Sequence, residues 1–238
     1  MAAGGKGANQ AVGAARAGAR VRFIARVGRD MFGDQAVASL VKDGVNVSYV
    51  VRDQTAPSGV ALIFVGKDGE NSIAVAPGAN GRLSPGDIKK AKKAFAAASI
   101  LVMQLETPLD TVQTAARLAV EAGMRVILNP APARTLPDKL YRHISIHTPN
   151  ETEAEQLTGI RINNNTDAAE AAGKFMAKGV QTVIITLGRR GAYVATREGM
   201  QLVPGFKVRP VDTTAAGDVF NGALAAALHE NKPLLEAV

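Results

Sequence analysis

Short runs of β-branched and other apolar residues alternate with alanine-rich stretches along most of the chain. The apolar runs predict strands, and the alanine-rich stretches, with apolar residues at helical spacing, predict helices. The predicted strands are 21–27, 100–103, 126–128 and 182–186, and the predicted helices are 9–17, 35–42, 109–122 and 168–178. Such alternation is typical of βαβ units, and nearly continuous apolar strands indicate that helices cover both faces of a sheet. The predicted fold class is therefore α/β with a mostly parallel sheet.

Glycines follow the predicted helices at four places, namely Gly18, Gly44, Gly123 and Gly179. A helix often ends in a left-handed residue, and glycine adopts that conformation without a steric penalty. We therefore expect a positive φ angle at these four positions.

One segment, residues 58–77, departs from the βαβ rhythm. Residues 59–65 and 72–76 predict two strands joined by a Gly/Asp-rich turn at 66–71, which is a β-hairpin. Such a hairpin can cover a site as a flap, extend a sheet or form the edge that a partner contacts. Because no Pro/Gly/Ser-rich linker divides the chain, the sequence predicts one domain, 1–238, with this hairpin as a small lid.

The composition is that of a soluble globular protein. Of 238 residues, 47% are hydrophobic and 21% are charged, which argues against general disorder. The absence of cysteine excludes disulfides, cysteine-bound zinc and a thiol nucleophile, and it suits a reducing cytosol. Neither a transmembrane run nor a signal peptide is present, so we expect a cytoplasmic protein without a membrane partner.

The net charge of +7 does not predict a nucleic-acid partner. The positive residues are scattered, with local concentrations at Arg16, Arg20, Arg22, Arg26 and Arg29 and at Lys89, Lys90, Lys92 and Lys93. Aromatic residues make up only 4% of the chain, so stacking platforms for single strands are scarce. The lysines lie in a predicted helix, and a solvated helix face explains them better.

The segment 211–224 carries the clearest chemical signal. Its apolar residues recur at helical spacing, so a helix begins near Ala216, and cap-type residues precede it. Small residues in the first turn leave main-chain N–H groups open to an anion, and Asp218 stands in the same turn. An acid at a helix start can simply stabilise the helix dipole. Together with an anion-binding turn, however, Asp218 favours phosphoryl transfer, as a carboxylate that deprotonates the attacking hydroxyl.

This segment and five others resemble the PfkB carbohydrate kinase family. The matching strings are 212–223 (DTTAAGDVFNGA), 4–11 (GGKGANQA), 103–106 (MQLE), 128–133 (LNPAPA), 148–155 (TPNETEAE) and 185–188 (ITLG). The resemblance extends over essentially the whole chain, in which these strings occur in the family's order. The last four narrow the resemblance to members that phosphorylate D-ribose at its 5-hydroxyl with ATP.

The resemblance implies roles for the residues around Asp218. It implies that Asp218 is the catalytic base and that the backbone of Ala215, Ala216 and Gly217 forms an anion hole for the transferred phosphoryl group. It also implies that Asp212 and the carbonyl of Thr214 bind an activating potassium ion (K+).

Sugar-binding positions are implied in two further segments. Gly5, Lys6 and Asn9 match sugar-binding residues of the family, although Gly4-Gly5 could also belong to a flexible chain start. Lys6 is followed by glycine rather than Ser or Thr, so this is not a P-loop. Glu106 follows a predicted strand and matches a sugar contact; without the resemblance it could be only a helix-starting acid.

Asn150 and Glu153 match the family's N-x-x-E motif, which acts on magnesium (Mg2+) and the phosphates of ATP. Thr186 and Gly188 match nucleotide-binding positions, and Gly188 with Gly191 suits a tight turn. His143 and His147 are spaced i, i+4 as in some zinc sites, but their segment alternates like a strand and lacks H-E-x-x-H, so we do not expect zinc there.

The chain departs from the family at both ends. Family members have a first core strand, with a sugar-binding aspartate, before the glycine motif, and more chain after the catalytic helix, so the resemblance implies a domain truncated at both ends. It also implies a homodimer through the lid, of which this chain holds only part. Two other functions remain open: an inactive fragment that binds sugar or nucleotide, and a related kinase acting on deoxyribose, fructose or a nucleoside.

Overall fold

The computed structural model describes residues 4–65, 71–96 and 98–238. In chain order its strands are β1 (Arg22–Gly28), β2 (Asn46–Asp53), β3 (Val60–Val65), β4 (Asn71–Ala76), β5 (Ile100–Met103), β6 (Arg125–Leu128), β7 (Ile146–His147), β8 (Thr182–Thr186), β9 (Gly191–Ala195) and β10 (Met200–Pro204). Its helices are α1 (Lys6–Arg16), α2 (Met31–Lys42), α3 (Pro85–Lys90), α4 (Lys92–Phe95), α5 (Leu109–Glu121), α6 (Asp138–Tyr141), α7 (Glu151–Thr158), α8 (Asn165–Ala177), α9 (Ala216–His229) and α10 (Leu234–Ala237). Two 3-10 helices span Gly78–Arg82 and Gly188–Arg190.

The strands of the described residues form three sheets. The largest has the order β10-β9-β8-β7-β6-β5, in which β5 to β8 are parallel and β9 and β10 are added antiparallel. A parallel pair, β1-β2, and an antiparallel pair, β3-β4, make up the other two sheets. The mostly parallel α/β architecture expected from the sequence is therefore confirmed.

Helices cover both faces of the six-stranded sheet, as successive residues of its strands show. Val126 and Leu128 of β6 belong to a core cluster shared with α5 and α8, whereas Ile127 between them packs in a second cluster with Leu224 and Leu228 of α9. All three β6 residues are fully buried. Successive side chains of this continuous apolar strand thus point alternately into two hydrophobic cores, one on each face of the sheet.

Helix α1 lies directly against α9, and two glycines permit the close approach. A Cβ atom on Gly222 would lie 2.5 Å from the Gln10 carbonyl oxygen and 2.6 Å from the Ala14 nitrogen. On the opposing helix, a Cβ on Gly13 would lie 3.2 Å from the Cα of Val219. Since backbone meets backbone here, α1 is held in a fixed position over the first turns of α9.

Other local expectations are also met. The four helix-ending glycines, Gly18, Gly44, Gly123 and Gly179, all have positive φ angles. The hairpin forms as β3 and β4, while its turn at 66–70 lies outside the described residues. The four lysines at 89–93 are solvent-exposed on α3 and α4. In the described part of the chain, no helix is both long and apolar enough to cross a membrane.

A large cleft of about 1790 Å³ separates β1 from β5 and is lined by residues of both strands. Its walls also include the start of α1 and the bases of β3 and β4. At the carboxyl ends of the parallel strands this cleft meets a smaller pocket, and the chemistry-bearing residues gather at that junction.

Candidate active site

The smaller pocket has a volume of about 170 Å³ and unites segments that are far apart in sequence. Eight of the expected site residues line it: Lys6, Asn150, Glu153, Thr186, Ala215, Ala216, Gly217 and Asp218. It lies at the carboxyl ends of parallel strands, where ligands bind in open α/β sheets. Gly5, Asn9, Glu106, Asp212 and Thr214 line the adjoining cleft, to which Lys6, Ala215 and Asp218 also contribute.

The start of α9 forms one wall of the pocket. Ala215 caps the helix in the left-handed conformation, with φ at 60°, and lines the pocket. The Ala216 N–H donates to the Thr213 carbonyl at 3.1 Å, so this amide is engaged within the turn. The positive end of the helix dipole points into the pocket, which makes this wall attractive to a phosphate.

Asp218 lies in the first turn of α9 and is only 5% exposed. Its carboxylate accepts one hydrogen bond on each oxygen: Asn9 Nδ2 donates to Oδ2 at 2.9 Å, and Gln10 Nε2 donates to Oδ1 at 3.4 Å. Both donors come from α1, which packs closely against α9 because Gly13 and Gly222 have no side chains. The side chain faces the pocket and the cleft rather than the apolar core, as a catalytic base requires.

Glu106 stands opposite Asp218, just beyond the end of β5. Its Oε2 accepts the main-chain N–H of Lys6 at 2.9 Å, and Asn80 Nδ2 donates to its carbonyl at 3.0 Å. Burial raises the pKa of Glu106, and the nearby Asp218 carboxylate adds to that increase, while the bond from Lys6 opposes it. Gly5 has a φ of 97°, so a left-handed residue brings the chain against this carboxylate.

Asn150 and Glu153 form a capping box at the start of α7. The Glu153 N–H donates to Asn150 Oδ1 at 2.8 Å, and the Asn150 N–H donates to Glu153 Oε2 at 2.9 Å. Burial raises the pKa of Glu153, and Lys6 and Asp218 both act on it electrostatically. The N-x-x-E motif therefore has a structural role in the helix while its residues face the pocket.

Thr186 and Gly188 mark the end of β8. Thr186 bridges to Asn150, and its N–H donates to the Pro149 carbonyl at 3.0 Å. Gly188 and Gly191 both have positive φ angles and enclose a 3-10 helix, which confirms the expected tight turn. Gly188 is exposed and is absent from the lining residues of the pocket and the cleft within the described chain.

Asp212 and Thr214 lie in the exposed segment before α9. The Thr214 N–H donates to Asp212 Oδ1 at 2.8 Å, and this bond lowers the pKa of Asp212. The carboxylate is thus ionised at neutral pH. Within the described residues, no cluster of three or more His, Cys, Asp and Glu side chains could hold a metal ion.

Sequence reasoning missed the polar residues behind the pocket. Asn129 and Thr148 follow β6 and β7, and Asn221 lies one turn into α9. Thr148 Oγ1 donates to Asn221 Oδ1 at 2.6 Å, and Asn221 Nδ2 donates to the Gly217 carbonyl at 2.8 Å. A polar residue at the carboxyl end of a predicted parallel strand is a usable signal for the first two. For Gln10, buried on α1, the sequence offers none.

The chain is similar in sequence and in structure to several known proteins. Over all 238 residues the chain is 45% identical to a ribokinase of Haemophilus influenzae and covers 78% of its length. A deoxyribokinase of Salmonella typhi is 41% identical over 223 residues, which are 93% of this chain and 73% of that protein. The structure of Arabidopsis thaliana ribokinase complexed with ribose and ATP superimposes with a TM-score of 0.90 at 32% identity, covering 98% of this chain and 77% of that one.

The family model described as pfkB family carbohydrate kinase matches residues 1–238. This match spans the glycine-rich start of α1, the capping box of α7 and the first turn of α9, which are the segments that meet at the pocket. The chain therefore belongs to the pfkB family of carbohydrate kinases.

Proposed function

We propose that the chain transfers the γ-phosphoryl group of ATP to the 5-hydroxyl of D-ribose, giving ribose 5-phosphate and ADP. The observation that carries the proposal is the position of Asp218, a buried carboxylate at the junction of the phosphate-sized pocket and the cleft that Gly5, Asn9 and Glu106 line. The ribokinases of Haemophilus influenzae and Arabidopsis thaliana are similar to it over almost its whole length.

In this proposal Asp218 acts as the general base. It accepts the proton of the 5-hydroxyl while the oxygen forms a bond to the γ-phosphorus and the bond from that phosphorus to the bridging oxygen of ADP breaks. The start of α9, with Ala215, Ala216 and Gly217, faces the negative charge that develops on the phosphoryl oxygens. Lys6 lines the same pocket and adds a positive charge.

The sugar lies between Asp218 and Glu106, with Gly5, Lys6 and Asn9 along its side. The exposed main chain at Gly5 allows close approach, and the Glu106 carboxylate and Asn9 amide can hydrogen-bond hydroxyl groups. The hairpin of β3 and β4 reaches the cleft through Val60, Ala61, Val75 and Ala76. We assign residues 58–77 the role of a lid that excludes water from the sugar, and of the surface for a homodimer.

The nucleotide lies on the side of the pocket formed by Asn150, Glu153 and Thr186, and extends toward the exposed Gly188 beyond the end of β8. Asn150 and Glu153 would act on Mg2+ and the phosphates, because Glu153 is a carboxylate held at the pocket by its cap bond. The ionised carboxylate of Asp212 and the Thr214 carbonyl both offer oxygen ligands, which fits K+. Bound there, the cation would supply positive charge and hold the segment before α9.

The deciding experiment is a coupled assay of ADP formation with ribose, deoxyribose, fructose and adenosine. We expect the highest kcat/KM for ribose. The Salmonella typhi deoxyribokinase makes deoxyribose the competing substrate, and a higher kcat/KM for it would replace ribose in the proposal. Ligand-induced increases in Tm without turnover of any sugar would identify an inactive binding fragment.

The variant Asp218→Asn tests the mechanism. It keeps the size of the side chain but cannot accept the proton, so kcat should fall about 10²- to 10⁴-fold. Ribose binding, measured by calorimetry, should remain. A variant with near-normal kcat would show that Asp218 is not the base.

A further inference from the structure

Gln10 is a buried amide behind Asp218 that none of the roles above uses. It lies on α1, is 2% exposed, and borders the large cleft but not the smaller pocket. Its Nε2 donates to Asp218 Oδ1 at 3.4 Å and to Asn129 Oδ1 at 3.2 Å. Because an amide nitrogen carries two hydrogens, both bonds can form at once.

The surrounding residues fix which end of the Gln10 amide faces Asp218. Gln104 Nε2 donates to Gln10 Oε1 at 2.9 Å, so the amide oxygen has its partner on the opposite side. Asn129 is oriented in turn, since its Nδ2 donates to the Thr148 carbonyl at 3.1 Å and leaves Oδ1 for Gln10. A flipped Gln10 would bring its oxygen against two acceptor oxygens, which is unfavourable in a buried site.

Two side-chain amides, which differ in how exposed they are, therefore hold the Asp218 carboxylate. Asn9 donates to Oδ2 through a partly exposed bond, on the side where a sugar binds in the proposed function, whereas Gln10 donates to Oδ1 through a buried bond. Although Gln10 also borders the cleft, its bond is therefore the better shielded from solvent of the two. A carboxylate anchored at one oxygen keeps its plane fixed while the other oxygen receives a proton.

We propose that Gln10 is a positioning residue, which holds the Asp218 carboxylate in the plane that proton transfer requires and is itself oriented by Gln104 and Asn129. The inference rests on the proposed function, because it requires that Asp218 accepts the proton of the sugar hydroxyl. In this role Gln10 acts through Asp218, to which it donates its hydrogen bond.

The charged groups around Asp218 are Lys6 from α1, Glu106 beyond β5 and Glu153 from α7. None of them changes when Gln10 is replaced. A difference in pH dependence between wild type and a Gln10 variant therefore reports on the bond from Gln10 to Asp218.

Two substitutions separate positioning from packing. Gln10→Met keeps the length of the side chain and removes its donors, so kcat should fall about 10- to 100-fold, as expected for the loss of a buried hydrogen bond to a charged group. The KM values for ribose and ATP should stay unchanged. Gln10→Glu introduces a carboxylate facing Oδ1, and the acid limb of the kcat profile should move to higher pH because like charges oppose ionisation.

Thr111→Val is the matched control. Thr111 is equally buried and donates to the Leu83 carbonyl at 2.7 Å, but it belongs to α5. This variant should lose stability while keeping kcat and the pH profile. If Gln10→Met fails to fold, Gln104→Met removes the anchor of the Gln10 amide and should lower kcat in the same direction by a smaller factor.

Unchanged kcat and an unchanged pH profile in folded Gln10→Met would overturn the inference and leave the proposed function intact. Absence of turnover by the wild type would instead overturn the proposed function. Crystal structures of the wild type and of Gln10→Met provide a second test of the positioning role. We expect the Asp218 carboxylate to rotate in Gln10→Met. The same single orientation in both structures would overturn the positioning role.

Discussion

Ala215 has a backbone conformation that alanine rarely adopts, and it does so at the entrance to the pocket. Its φ of 60° places it in the left-handed region, where the Cβ atom crowds the carbonyl oxygen at a cost of about 1–2 kcal/mol. The turn that starts α9 requires this conformation. The protein therefore contains local strain beside its proposed anion-binding amides.

Ala215→Gly should relieve this strain and raise the free energy of unfolding by about 0.5–1 kcal/mol, since glycine adopts positive φ freely but is more flexible when unfolded. Urea denaturation measures the change. In the control Ala216→Gly, the same replacement falls on the first helical residue, so stability should decrease. Loss of stability in both variants would argue against strain at Ala215.

His147 is a buried imidazole without a role in the proposed reaction. It is fully buried, with the Phe175 ring 4.7 Å and the Tyr141 ring 5.7 Å from its own ring centre. Burial lowers its pKa to about 3, because the charged form loses its hydration. In the unfolded chain the ordinary value is about 6.5.

Between pH 6.5 and 3 the unfolded chain therefore binds a proton that the folded chain does not, and stability falls as the pH falls. Full protonation of one such group corresponds to a slope of about 1.4 kcal/mol per pH unit. In His147→Leu this component should disappear, giving a flatter dependence of unfolding free energy on pH from 6.5 to 4. The half-buried His143, replaced in His143→Gln, is the control and should keep the wild-type slope.

Among single residues, the sequence predicts the roles of site residues that are adjacent in the chain, but not of those that only folding brings together. Asp218 and the small residues before it are adjacent, so their joint role could be predicted. The bond from Gln10 to Asp218 joins residues 208 positions apart, and no sequence pattern near Gln10 predicts it. The left-handed Ala215 could not be predicted either, because that conformation is expected at glycine, asparagine or aspartate rather than at alanine.

At the scale of elements, the contact of α1 with α9 decides whether the site exists. Asn9 and Gln10 reach Asp218 only because Gly222 lets the two backbones meet. The position of the base and of its donors is thus a property of helix packing rather than of one loop.

Gly222→Ala should separate the two helices. Its Cβ would lie 2.5 Å from the Gln10 carbonyl oxygen, and relieving that contact should cost about 1–3 kcal/mol. We expect a lower Tm and a lower kcat, because both donors to Asp218 move with α1. Gly173→Ala is the control: a Cβ there meets nothing within 4 Å, so the helix α8 should gain about 1 kcal/mol without a change in kcat.

The elements themselves could be predicted well where periodicity is strong. Strands β5 and β8 have the predicted bounds, and α9 begins at the predicted residue. The segment 143–147 alternates like a strand, but β7 includes only its last two residues, because the turn that follows α6 extends to His143. Antiparallel β9 and β10 were not foreseen, since short strands after a parallel series carry no distinct pattern.

At the scale of the whole molecule, the site joins four regions of the chain. Lys6, Glu106, Glu153 and Asp218 belong to segments that are separated by about fifty to a hundred residues and interact electrostatically. A ligand that contacts several of them adds direct contacts between parts of the fold that are far apart in sequence. Binding should therefore stabilise the molecule as a unit.

Ribose at a hundred times its Kd should add about 2.7 kcal/mol to the free energy of unfolding, which corresponds to an increase in Tm of roughly 5–10 °C for a chain of this size. Differential scanning fluorimetry measures it, with mannitol at equal concentration as the control for unspecific polyol effects. Asp218→Asn should retain most of the shift. An equal shift with mannitol would contradict specific binding.

The packing of α1 on α9 has a consequence for biosynthesis. Asn9 emerges from the ribosome 209 residues before Asp218, so the base gains its hydrogen-bond donors only after the whole segment between them has been made. A nascent chain that has not yet reached α9 consequently lacks the assembled base, and the first phosphorylated sugar is evidence that α1 and α9 have docked.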